Sequence, residues 1–154
     1  MMAGQERWHT ADFEAMQWHD VCVHGFRIVA DERGTAELVL DIDFILEWIR
    51  EDDGRFRFRI AQAILQFHEV FGLRFALDYV ACSAGMSAFS IDRIERVPLR
   101  EIADDEDHFG PWRWRIDVGW PEGFLEFESS GFSQWLVGDV LEQPAQGLQP
   151  AQRI

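Results

Sequence analysis

Leu38-Val39-Leu40-Asp41-Ile42-Asp43-Phe44-Ile45-Leu46-Glu47-Trp48 leads into Asp52-Asp53-Gly54 and leaves as Arg55-Phe56-Arg57-Phe58-Arg59-Ile60. Apolar and polar residues alternate with period two on both sides of a turn, which reads as a β-hairpin with one apolar face. The register follows from the turn. A two-residue loop at Asp53-Gly54 sets Trp48 against Arg59 and Glu47 against Ile60, mixing the faces. A three-residue loop, Asp52-Asp53-Gly54, sets Trp48 against Phe58, Leu46 against Ile60, Glu47 against Arg59 and Glu51 against Arg55. It needs positive φ at its third position, where the chain has glycine. Turn chemistry and cross-strand pairing agree on this register.

Working outward, Cys22, His24, Phe26 and Ile28 fall on one face of an earlier strand and Val21, Val23, Arg27 and Val29 on the other, before the turn Asp31-Glu32-Arg33-Gly34. Further hairpins are expected at Val70-Phe71-Gly72, pairing Phe67 with Phe75, and at Trp120-Pro121-Glu122-Gly123, pairing Val118 with Leu125 and Ile116 with Phe127. Phe89 to Val97 reads as another strand, and residues 132–141 as a short helix or an edge strand. Thr10 is a candidate N-cap for a short helix through Phe13 and Met16. Strands that recur with short turns and no alternating helices predict a mainly β fold. The expectation is an antiparallel sheet of successive hairpins forming a sandwich or partly closed barrel, with little helix near the N-terminus or C-terminus.

At 154 residues and 17.9 kDa the chain fits one domain, 1–154, with a core over about 18–135. Residues 142–154 are rich in Pro, Gly and Gln, a composition expected of a flexible tail. Thirteen Phe and seven Trp against one Tyr put the hydrophobic mass in aromatics without a hydroxyl handle, which favours core over binding surface. No apolar run approaches the roughly 20 residues of a membrane helix, and the first residues lack the pattern of a signal peptide, so a cytoplasmic location is expected. In that compartment Cys22 and Cys82 are expected as reduced thiols. All 14 basic residues are arginine, which suits a GC-rich bacterial coding bias.

The net charge of −14 is uneven. Residues 1–54 carry 13 acids against 4 arginines, 55–100 carry 4 against 7, and 101–154 carry 11 against 3. Such ends repel polyanions, so nucleic acid is not expected as a partner, whereas a basic protein is attracted.

Several side chains are candidates for chemistry. Asp41 and Asp43, two apart on one strand face, place two carboxylates where they converge on a cation or act as an acid and base pair. Asp20, Cys22 and His24 alternate, with His19 adjacent, in a pattern of metal-ligand types. Residues two apart on a strand are roughly 7 Å apart, too far to share a zinc ion without outside help, so a satisfied histidine and an inert thiol are favoured. His68-Glu69 and His108 lack an H-E-x-x-H partner, and no serine sits in a G-x-S-x-G elbow. Trp112-Arg113-Trp114-Arg115 interleaves aromatic and basic residues, but a strand sends them to opposite faces, so core packing outweighs base stacking. Asp104, Asp105, Glu106 and Asp107 form an acidic loop suited to docking a partner and lacking the spacing of an EF-hand. No cofactor or metal is expected.

Gln17-Trp18-His19-Asp20, then Glu37 to Trp48, then Phe56 to Phe67, resembles a family of small acidic bacterial proteins to which no activity is assigned. The resemblance covers roughly residues 16–135. It implies a compact bacterial domain and brings no site residues.

Size, acidity and the lack of a catalytic signature lead to a non-catalytic interaction module, of the kind an immunity-type inhibitor of a basic partner would be. One alternative is a β-barrel or sandwich binding a small apolar ligand among its aromatics. Another is a metal-dependent enzyme using Asp41 and Asp43 with His19 or His24. An exposed edge strand leaves a homodimer open.

Overall fold

The computed structural model describes residues 6–80, 85–102 and 112–154. Its strands are β1 (Arg7–His9), β2 (Cys22–Ala30), β3 (Ala36–Arg50), β4 (Phe56–Leu77), β5 (Phe89–Pro98), β6 (Trp112–Trp120), β7 (Gly123–Ser129), β8 (Gly131–Leu136) and β9 (Leu141–Gln143). Among the described residues, helix is confined to a short α-helical turn, α1 (Leu99–Ile102), and 3-10 turns at Thr10–Ala15 and Pro150–Gln152. No helix among the described residues is long and apolar enough to cross a membrane.

The expected antiparallel, mainly β architecture is present as one sheet that closes into a ring. The order β4, β3, β2, β5, β6, β7 returns to β4, because β4 pairs with both β3 and β7. At 22 residues β4 is far longer than the usual strand of about 3–10. One edge of it pairs with β3 from Phe56 to Val70, while the other takes β9 at Phe58–Ile60, β8 at Ala63–His68 and β7 at Phe71–Leu77. β1 flanks β8.

The hairpin expected at Val70-Phe71-Gly72 is not formed, and the chain runs on through it as β4. Two residues with positive φ, Glu69 (φ 51°) and Gly72 (φ 65°), bend the strand so that it changes partner instead of reversing. Valine and phenylalanine do not favour a tight turn, and their apolar side chains are better spent in a strand. The hairpin at 120–123 forms with a register two residues away from the expected one, pairing Ile116 with Leu125 and Trp114 with Phe127. A shift of two keeps every side chain on its face, so the core pattern survives the change. The short helix expected near Thr10 forms as the 3-10 turn Thr10–Ala15, with His9 and not Thr10 at the cap position, and Thr10 Oγ1 instead accepts the Phe132 N–H at 2.9 Å.

The β3–β4 turn follows the three-residue loop. Trp48 pairs with Phe58 and Glu47 with Arg59, the Glu51 N–H donates to the Arg55 carbonyl at 2.8 Å, and Gly54 has φ 84°. One pair differs: Ile45, not Leu46, faces Ile60, because β3 carries a bulge between Ile45 and Glu47. Its cause is visible in β4, where the apolar positions run 56, 58, 60 and then switch phase to 61, 63, 65, 67. One extra residue in β3 lets both strands change phase together.

The inside of the ring is filled by aromatic and branched side chains. Trp8, Phe44, Phe67, Trp114, Phe127 and Phe132 are all fully buried. Phe67 contacts Phe127 with centroids 4.7 Å apart, Trp114 at 5.2 Å and Phe132 at 6.0 Å, mostly edge-on. Trp114, Ile116 and Val118 point inward, while Arg113 and Arg115 pair outside with Glu128 and Glu126 at 3.6 and 3.2 Å. The tryptophan and arginine alternation is therefore divided between core and surface.

Candidate functional site

Asp43 is the one buried charged residue among the described residues, with 0% of its surface exposed. It lies on the outer face of β3, where Asp41 and Gln62 are neighbours by register. The expected single face Cys22, His24, Phe26 and Ile28 is split by a bulge between Val23 and Gly25. Cys22 pairs with Asp43 on the outer face, while Phe26 and Ile28 pair with Leu40 and Leu38 of the inner one. His24 is the extra residue, and its Nε2 reaches Asp43 Oδ2 at 2.6 Å. The bulge thus separates the polar members of the pattern from the apolar ones.

Residues 144–154 cover this face, placed there by hydrogen bonds rather than by apolar bulk. The Leu148 N–H donates to Asp43 Oδ2 at 2.9 Å, and Arg153 forks its guanidinium between Asp43 and Asp41. The Gln62 amide donates to Asp41 Oδ1 at 3.2 Å while its Oε1 accepts the Ile154 N–H at 2.7 Å. Gln146 reaches Asp20 at 3.0 Å, and Leu148 joins the core. A composition low in apolar residues is compatible with this placement because the partners are buried polar groups that need donors.

The electrostatics follow from burial. The two aspartates converge on a cation, and that cation is Arg153. Burial pushes the Cys22 thiol up, and Asp20 adds to the rise, so the thiol form is held. Burial holds His24 below the ordinary imidazole value, Arg153 lowers it further and Asp41 opposes. A neutral His24 with its proton on Nε2 donates to Asp43. Cys22 is a free thiol.

The remaining candidates lie elsewhere. His19 stacks on Trp48 with centroids 6.1 Å apart, and its Nδ1 lies 3.1 Å from the Asp92 carbonyl oxygen, so it is not joined to Asp41 and Asp43. Asp104, Asp105, Glu106 and Asp107, with His108 and Cys82, lie outside the described residues. Among the described residues, no group of three or more His, Cys, Asp and Glu is placed to hold a metal ion.

Two features escaped the sequence. Strand register brings Glu37, His68 and Ser133 together on adjacent strands, although 31 and 65 residues separate His68 from the other two. An apolar cleft of about 260 Å³ opens at the ring mouth, lined by Ile28, Leu38, Val70, Phe71 and Leu73. Only the strand pairing, which has no local signal, could have shown either. Compared with family models, with curated proteins and with solved structures, the chain matches none.

Proposed function

We propose that the protein is an interaction module that binds a basic protein partner at the mouth of its ring. The observation that carries this is a set of exposed apolar side chains: Ile28 and Phe71, each 57% exposed, line the cleft, and Phe75, 52% exposed, packs against Phe26 on the same strand as Ile28. Scattered exposed apolar residues are ordinary, but a group gathered at a cleft marks a surface meant to be covered. Asp31 and Glu37 are its charged lining residues, and no arginine lines it. Apolar walls with two carboxylates suit the side chains of a basic segment, and the chain's net charge of −14 steers such a partner inward.

The test is affinity capture with the full chain and with a Phe71→Ser, Phe75→Ser double variant, each washed at low salt and at about 0.5 M salt. One stoichiometric basic protein, retained at low salt by the parent chain and lost from the double variant, is the expected result. Equal capture by both forms, or a partner indifferent to salt, would end this reading.

A further inference from the structure

Glu37 on β3, His68 on β4 and Ser133 on β8 form a hydrogen-bonded row across three adjacent strands. His68 Nδ1 lies 3.2 Å from both carboxylate oxygens of Glu37, and His68 Nε2 lies 2.7 Å from Ser133 Oγ. A carboxylate only accepts, so Nδ1 carries the proton and donates to Glu37. Nε2 is then a lone pair, and the Ser133 hydroxyl donates to it. This is the arrangement in which a base stands ready to take a serine proton while a carboxylate holds the base in the required tautomer.

The row is held rigidly, by groups that a simple surface contact would not need. The carbonyl oxygen of His68 accepts three hydrogen bonds, from Ser129 Oγ at 2.6 Å, Ser130 N–H at 3.2 Å and Ser130 Oγ at 3.3 Å. The β3–β4 register slips between Ala36 and Leu38, so that His68 and Glu69 together face Glu37. Glu69 takes φ 51°, which a residue with a side chain rarely adopts. Such bulges re-aim side chains, and this one turns His68 onto Glu37 and Ser133 together. His68 and Glu37 keep about a third of their side-chain surface exposed, and Ser133 is half-buried.

We propose that Ser133 is a nucleophile that takes the acyl group of small activated esters, with His68 as its general base and Glu37 as a positioning residue. Ser133 Oγ forms a bond to the acyl carbonyl carbon as its proton passes to His68 Nε2. The tetrahedral intermediate collapses by breaking the bond to the leaving oxygen, which departs with the proton from His68. Water repeats the sequence on the acyl-serine and releases the acid, restoring Ser133. An ester with a good leaving group suits a site on a sheet face, because its intermediate asks least of oxyanion stabilisation.

The experiment treats the full chain with p-nitrophenyl acetate, follows nitrophenolate release, and maps the acetylated residue by mass spectrometry after acid quench. Acetylation at Ser133 is expected, with Ser133→Ala and His68→Gln slowing release by about a hundredfold or more. Glu37→Gln is expected to lower kcat with KM unchanged, and Glu37→Asp to restore part of the rate; a merely structural glutamate would leave kcat in place. Adducts confined to other residues, a Ser133→Ala chain as fast as the parent, or a folded parent chain with no acyl-serine would each overturn the assignment. The mapping uses the parent chain, so it decides the matter even where a variant fails to fold.

Discussion

His24 reaches the fully buried carboxylate of Asp43 at 2.6 Å because β2 carries one extra residue at that point. Without the bulge His24 would share a face with Phe26 and Ile28 and point into the ring. With it, the imidazole joins Arg153, Leu148 and Asp41 around a single charge. The outer face of β2, β3 and β4 thereby becomes a seat for residues 144–154.

Asp43 should be the most sensitive position in this cluster. Asp43→Ala leaves Arg153, the Leu148 N–H and His24 without their shared acceptor, and breaking a buried pair from one side costs about 3–5 kcal/mol. Asp41 has 39% of its side chain exposed, so Asp41→Asn should cost under about 1 kcal/mol. Urea unfolding of the two variants measures the difference. Equal losses would show that Arg153 does not discriminate between the two carboxylates.

Acid should weaken the fold through His24. Its folded value lies below the ordinary 6.5, so the unfolded chain takes up the proton first. The stability this histidine contributes is complete above the ordinary value and is lost as pH falls below it towards the folded value. The slope contributed by one proton is at most about 1.4 kcal/mol per pH unit. Thermal unfolding between pH 7.5 and pH 5 should therefore show a steeper decline for the parent chain than for His24→Gln, and parallel curves would assign the acid sensitivity to other groups.

Closure of the ring should depend on a glycine. A Cβ at Gly123 would stand 2.1 Å from the Ala76 carbonyl oxygen, in the seam where β7 meets β4. Gly123→Ala must push backbone apart and is expected to cost about 1–3 kcal/mol or more. Gly25→Ala, with nothing within 4 Å of the new atom, should stay within about 0.5 kcal/mol. Comparison of their denaturation midpoints checks both, and a neutral Gly123→Ala would mean the seam is looser than its geometry.

Local chemistry carried the readable part of the fold. The Asp52-Asp53-Gly54 loop and the pairs Trp48 with Phe58 and Glu47 with Arg59 depend on neighbours in sequence and on a glycine at φ 84°, so composition and spacing were sufficient. The inward turn of Trp114 and Ile116 followed from period two alone. The bulge in β3 was also present in the sequence, as the phase switch at Ile60-Ala61, but it becomes meaningful only when β3 and β4 are laid side by side.

The candidate sites divide along the same line. Asp41, Asp43 and His24 were visible as residue types on strands, and the sequence by itself determined that two carboxylates would share one face. It also determined the antiparallel β class and the aromatic core, because both follow from alternation. What neutralises Asp43, which serine His68 meets, and which strand closes the ring were decided by tertiary structure alone. Arg153 lies 110 residues from Asp43 and Ser133 lies 65 from His68, so no periodicity links them. Hydrogen bonds and ion pairs act over a few ångströms of space, and only the pairing of distant strands brings those groups within reach.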